Sequence, residues 1–243
     1  MTDASPRRAP GRESGAADRR LVCAVDIGAT KTLVSVRALP LAGWDASTPT
    51  ERFPTQRDGR ACADDIVAAA RRLAERAEGR LVAVGCGAPG PLDARTGMIA
   101  GAPNLGWHDV PMGPWIVAGL GVPLAIEHDS SVGALGEATM GAGRDADPCI
   151  YITLSTGIGM GLIVGGAIVG GAHGVSGEIG HYVVDPAGPR CSCGRRGCLE
   201  AFAGGAGIAA RARAAWPRGR TASGAPAPRT AAGVFLAARA ACA

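Results

Sequence analysis

The chain has 243 residues, of which 47% are apolar but only 4% aromatic, and its formal net charge is +4. That length can bury a sizeable core built from Ala, Val, Leu and Ile, and 38 glycines without a period of three exclude a helix bundle and a collagen-like fibre. The weak positive charge comes from scattered arginines, which read as solvated surface and not as a nucleic-acid face. Residues 1–20 are rich in Pro, Arg, Gly and Ser and read as a disordered tail. They lack an apolar segment of the secretory kind, and no run further on reads as a membrane span, so a cytoplasmic location is expected.

From there the pattern alternates strands and helices, which predicts an α/β fold. Strands are expected at Leu21–Asp26 and Leu33–Leu39, joined by the turn GATKT. Ala61–Glu78 has apolar residues at helical spacing, with Asp64 and Asp65 suited to its first turn. Strands at Leu81–Gly87 and Gly97–Gly101 follow, then a helix from Pro114 that ends at Gly121. A strand at Val122–Glu127 leads into a helix at Ser130–Met140. Cys149–Ser155 and Gly161–Val164 read as strands around a glycine-rich turn. Ala206–Ala215 and Thr230–Ala241 read as Ala-rich helices, with Trp216–Pro228 as the loop between them. The strand–glycine turn–strand pattern at Asp26–Thr32 and again at Thr153–Gly161 suggests two related lobes facing a cleft.

Four segments carry chemistry. In Asp26-Ile27-Gly28-Ala29-Thr30-Lys31-Thr32, Gly28 lets the backbone come close to a phosphate, Thr30 and Thr32 offer hydroxyls, and Asp26 can hold Mg²⁺ through its waters. Lys31, the chain's single lysine, is expected among the phosphate-binding residues of this loop. The loop lacks the glycine-lysine-serine ending of a Walker A motif, and a decorated glycine hairpin would look the same. The second turn, Ser155-Thr156-Gly157-Ile158-Gly159, is of the same kind. In Glu127-His128-Asp129, an Asp at a strand's C-terminal end faces the crevice of the sheet, where it can take a proton; it can equally cap the helix that follows. Cys191, Cys193 and Cys198 follow His181 closely, and one His with three Cys suffices for a closed, structural Zn²⁺ site. His108 and His173 show no such grouping and read as ordinary surface histidines.

These pieces, in this order, resemble the ROK family (repressors, open reading frames and kinases) from about Leu21 to Gly205. The residues are DIGATKT at 26–32, GAPGPLD at 87–93, PNLGW at 103–107, EHDSSVGALGE at 127–137, LSTGIGMG at 154–161, GEIGH at 177–181 and CSCGRRGCLE at 191–200. The resemblance implies an actin-like, ribonuclease H-like fold of two α/β lobes, 21–127 and 128–243, with ATP and a sugar in the cleft. It implies that Asp129 is the catalytic base, that Glu178, His181 and Glu200 contact sugar hydroxyls with Asn104 near them, and that Asp26, Gly28, Thr30, Thr32, Thr156 and Gly157 line the phosphates. It implies a structural Zn²⁺ on His181, Cys191, Cys193 and Cys198, and a possible homodimer. The expected reaction is ATP-dependent phosphorylation of a hexose, foremost glucose to glucose 6-phosphate, with polyphosphate as an alternative donor.

Two departures from the family pattern stand out. His128 occupies a position where the family usually has an Asn that touches the sugar. The chain also stops at Ala243, before the helices and the adenosine-side glycine turn of the family. An incomplete second lobe, apolar surface left uncovered and impaired transfer are therefore expected. The alternatives are a sugar-binding remnant, or a sugar-sensing regulator without its DNA-binding part, although the residues before Leu21 are too few for a winged helix-turn-helix.

Overall fold

In the computed structural model, residues 19–41, 48–172, 174–216 and 228–241 are described. Residues 1–18 of the expected tail, His173 and nearly all of the expected 216–228 loop lie outside them; Arg20, expected at the end of the tail, instead opens the first strand, where it pairs with Arg80.

The first sheet begins with the hairpin β1 (Arg20–Ile27) and β2 (Lys31–Ala38), followed by the edge strand β3 (Thr50–Pro54). The helix α1 (Gly59–Arg76) buries Cys62, Ile66, Ala69, Ala70 and Leu73, the period that its sequence carries. It starts earlier than expected, because Asp58 caps it: the Asp58 carboxylate accepts from the backbone N–H of Arg60 (2.7 Å) and of Ala61 (3.1 Å). Asp64 and Asp65 therefore lie beyond the first turn, and Asp64 pairs with Arg60 at 3.0 Å. Then come β4 (Arg80–Ala88), the small sheet of β5 (Leu92–Asp93), β6 (Met98–Ala102) and β7 (Trp107–Val110), the helix α2 (Met112–Leu120) and β8 (Leu124–His128). The large sheet runs β3-β2-β1-β4-β8, with β1, β4 and β8 parallel. Its core is Val, Ile, Leu, Ala and Cys, as the composition requires; Trp107 is the large exception, and its Nε1–H donates to the Arg57 carbonyl at 2.9 Å.

The helix α3 (Asp129–Met140) follows β8 without a break and packs on a second sheet of β9 (Cys149–Leu154), β10 (Ile158–Val164) and β11 (Ala167–Ile168). Gly161 of β10 makes this packing possible: it lies directly against the Ser130 carbonyl and Ala134. The other face of β9 is open among the described residues, with Ile150, Ile152 and Leu154 58%, 51% and 70% exposed. A short 3-10 turn at Ile179–His181 leads to the cysteine loop and then to α4 (Leu199–Ala203), α5 (Gly205–Ala215) and α6 (Ala231–Ala241). Among the described residues, no helix is long and apolar enough to cross a membrane.

Candidate active site and metal cluster

The parallel pairing of β1, β4 and β8 sets Asp26 beside Gly87, and Gly87 beside Glu127. Asp129 follows at once, so the two aspartates share the C-terminal end of the sheet, where ligands bind in open α/β folds. A side chain at Gly87 would stand 3.5 Å from the Asp129 Cα. A cavity of about 530 Å³ opens here, lined among others by Asp26, Thr30, Lys31, Asp129, Ser155 and Thr156. Both glycine turns thus border one cavity, as their echo in the sequence suggested. Asp26 is open to the cleft yet walled by neighbouring atoms: partial burial raises its carboxyl first, the charge of Asp129 raises it further, and Lys31 opposes both.

The first turn is tied across its mouth, with the Gly28 N–H donating to the Lys31 carbonyl at 3.0 Å. Thr32 does not line the cavity. It is fully buried, because β2 alternates and puts Thr32, Val34 and Val36 inward. Its hydroxyl meets that of Thr55 at 2.9 Å, and Thr55 in turn donates to the Gly28 carbonyl at 2.7 Å. Thr55 spends its one proton on Gly28, so Thr32 is the donor to Thr55. Thr32 therefore anchors the turn from below and offers no hydroxyl to a phosphate. Thr55 sits just past a charged edge strand and gave no local signal in the sequence.

His128, not Asp129, occupies the cap position of α3, and it makes no capping bond. Asp129 is already helical; its Oδ1 accepts the N–H of Ser130 at 2.6 Å. The capping reading of Asp129 is thereby set aside, and the carboxylate borders the cavity. His128 Nδ1 stands 2.8 Å from Ser130 Oγ and 3.1 Å from Asp129 Oδ1, and its Nε2 lies 3.9 Å from Glu178 Oε1. Glu178 Oε2 lies 3.7 Å from His181 Nε2. Asn104 is exposed in the turn between β6 and β7, where its carbonyl accepts from Arg57 at 2.8 Å. His108 is exposed on β7. Glu200 Oε2 accepts the Ile158 N–H at 3.0 Å over Gly157, and its Oε1 accepts from Ser192 at 3.4 Å. It thus ties the cysteine loop to the second glycine turn, and Gly157 lies beneath that carboxylate.

The ligand atoms of His181, Cys191, Cys193 and Cys198 all lie within 4.8 Å of one another. His181 Nδ1 is 3.5 Å from Cys191 Sγ, and the sulfurs of Cys193 and Cys198 are 3.7 Å apart. A tetrahedral Zn²⁺ needs about 3.6 Å between nitrogen and sulfur and about 3.8 Å between sulfurs, so the donor set fits that ion. The loop closes through left-handed backbone at Gly194 (φ 88°) and Gly197 (φ 72°). The Cys193 thiol is drawn down to about 6, first by the Arg195 backbone N–H and then by its guanidinium, which favours the thiolate that a metal requires. Burial instead pushes up Cys198 of the same cluster, to about 11, as it does the core thiols of Cys23 and Cys62, to about 12 and about 11.

A mixed α/β chain with paired aspartates at the strand ends, two glycine turns on one cavity and an adjacent His/Cys₃ cluster has the actin-like fold of sugar kinases and their regulators. The chain belongs to the ROK family, which it matches over residues 22–240. It is similar to the glucokinase of Halalkalibacterium halodurans, 36% identical over 195 residues that cover 76% of this chain and 57% of that protein. It is also similar to the xylose repressor of Bacillus subtilis, 41% identical over 123 residues that cover 51% of this chain and 32% of that protein. The structure of a ROK family glucokinase from Streptomyces griseus in complex with glucose and AMPPNP superposes with a TM-score of 0.72 at 31% identity, covering 90% of this chain and 71% of that one. The chain spans about half the length of the curated relatives it matches.

Proposed function

We propose that this chain carries the sugar and phosphate half of an ATP-dependent hexose kinase site, with glucose as the foremost acceptor. The observation that carries this reading is the single cavity shared by Asp26, Asp129 and both glycine turns. Asp129 accepts the proton of a sugar hydroxyl as that oxygen attacks the terminal phosphate of ATP, while Thr30, Thr156 and the backbone around Gly28 position the phosphates. Asp26 would hold Mg²⁺, which supplies neutralisation of phosphate charge. Zn²⁺ on the His/Cys₃ cluster would fix the loop, so that Glu178 and His181 face the sugar in a set orientation. We take the two lobes to divide after Glu127, near the end of β8, where α3 begins and goes on to pack on β9 and β10.

The test is a coupled assay across a hexose panel. Asp129→Asn is expected to lower kcat by about 10²–10⁴. Undiminished turnover in that variant would refute Asp129 as the base. A second reading, sugar binding without transfer, draws support from the 41% identity with a repressor. Titration with ATP separates the two, since only a kinase site binds nucleotide and consumes it.

A further inference from the structure

His128 closes β8 directly before Asp129, and both nitrogens of its ring face polar groups. Nδ1 has two neighbours, Ser130 Oγ at 2.8 Å and Asp129 Oδ1 at 3.1 Å. The Ser130 hydroxyl has one proton and donates it to the Met160 carbonyl at 3.1 Å, so it can only accept from the ring. The Asp129 carboxylate likewise only accepts. Nδ1 therefore carries a proton. Nε2 faces Glu178 Oε1 at 3.9 Å. A neutral ring turns a lone pair toward that carboxylate, whereas a doubly protonated ring turns an N–H toward it. The ring cannot swing aside freely, because Gly90 backs it so closely that an added Cβ there would stand 2.6 Å from His128 Cδ2.

We propose that His128 is a positioning residue that joins Asp129 to Glu178, and that it holds the two carboxylates as one unit only while both ring nitrogens are protonated. This rests on the reading of Asp129 and Glu178 as sugar-site groups. The charges around the ring favour the protonated form. Burial opposes it, but Asp129, Glu178 and Glu127 together outweigh burial and raise the ring above the ordinary histidine value of 6.5. On the far side His128 and Glu127 line a cavity of about 660 Å³ with Asp93 and Arg95. Arg95 is 85% exposed there and pairs with Asp93 at 3.5 Å. Because the shift is upward, the clamp is complete below about 6.5 and is lost as pH rises through the higher folded value.

The experiment measures glucose binding by calorimetry without nucleotide, from about pH 6 to about pH 9, on the full chain and on His128→Asn and His128→Gln. The glucose Kd of the unaltered chain is expected to rise about three- to tenfold across that range, and that of both variants to stay flat. Nitrogen NMR of the His128 ring in the unaltered chain is expected to show Nδ1 protonated throughout and Nε2 losing its proton above about 6.5. A flat Kd in the unaltered chain overturns the proposal. So does a slope that survives in a folded variant, which would assign the titration to another group such as His181, and so does a ring that loses its proton below the ordinary value. If glucose fails to bind, the sugar reading falls and the ring titration decides the clamp by itself.

Discussion

Gly161→Ala tests the joint between α3 and the second sheet. A methyl at 161 would stand 2.6 Å from Ala134 Cβ and 2.8 Å from the Ser130 carbonyl carbon. Ordinary carbon–carbon contact is about 3.5–4.0 Å, so helix and strand must part by about 1 Å. No rotamer change relieves this, because the obstacles are backbone and a Cβ. Such overpacking costs about 1–3 kcal/mol, and at about 2–4 °C per kcal/mol for a chain of this size the expected fall in Tm is about 2–12 °C. Asp129 rides on the first turn of α3, so kcat for hexose phosphorylation is expected to fall by up to about 10²-fold. The internal control lies on the same helix. Gly136 has nothing within 4 Å of an added Cβ, so Gly136→Ala is expected to raise stability by about 1 kcal/mol through helix propensity. Scanning calorimetry and the coupled assay read both variants. A Gly161→Ala chain that melts no lower than its parent would refute the packing argument.

Three further outcomes are expected. Asp58→Ala removes two bonds from the start of α1 and is expected to cost about 1 kcal/mol in urea denaturation, and no loss would remove Asp58 as the cap. Glu51 on β3 meets Arg72 at 2.6 Å and Arg76 at 3.5 Å; the hydrogen bond from Arg72, ahead of the two charges, lowers its carboxyl. Its contribution is therefore present above the ordinary value of 4.5 and lost as pH falls through the lowered one, so Glu51→Gln should cost about 0.5–1 kcal/mol near neutrality and nothing in strong acid. Metal analysis of the purified chain should return about one zinc, and Cys198→Ser should lower both zinc content and Tm; less than about half a zinc per chain would speak against the cluster.

The sequence by itself determined whatever rests on near neighbours and on periodicity. The helical period of α1 and α3, the Gly28 hairpin and the convergence of Cys191, Cys193 and Cys198 with His181 all depend on residues within one turn, one helix or one short loop. Pairing across the chain was not legible. The charged segment Thr50–Pro54 is a strand only because the edge of β2 receives it, and Thr32 turned from a phosphate ligand into a buried anchor once β1 fixed the register of β2. Asp58 took the cap of α1 from outside the apolar pattern. The meeting of His128 with Glu178 was also decided in three dimensions, by one residue of β10. Met160 accepts from Ser130 through its carbonyl, and its N–H donates to the Gly177 carbonyl at 3.0 Å. Two segments about fifty residues apart are thereby pinned to the same strand position, and no local pattern encodes that contact, because it depends on two separate backbone bonds from a residue that belongs to neither segment.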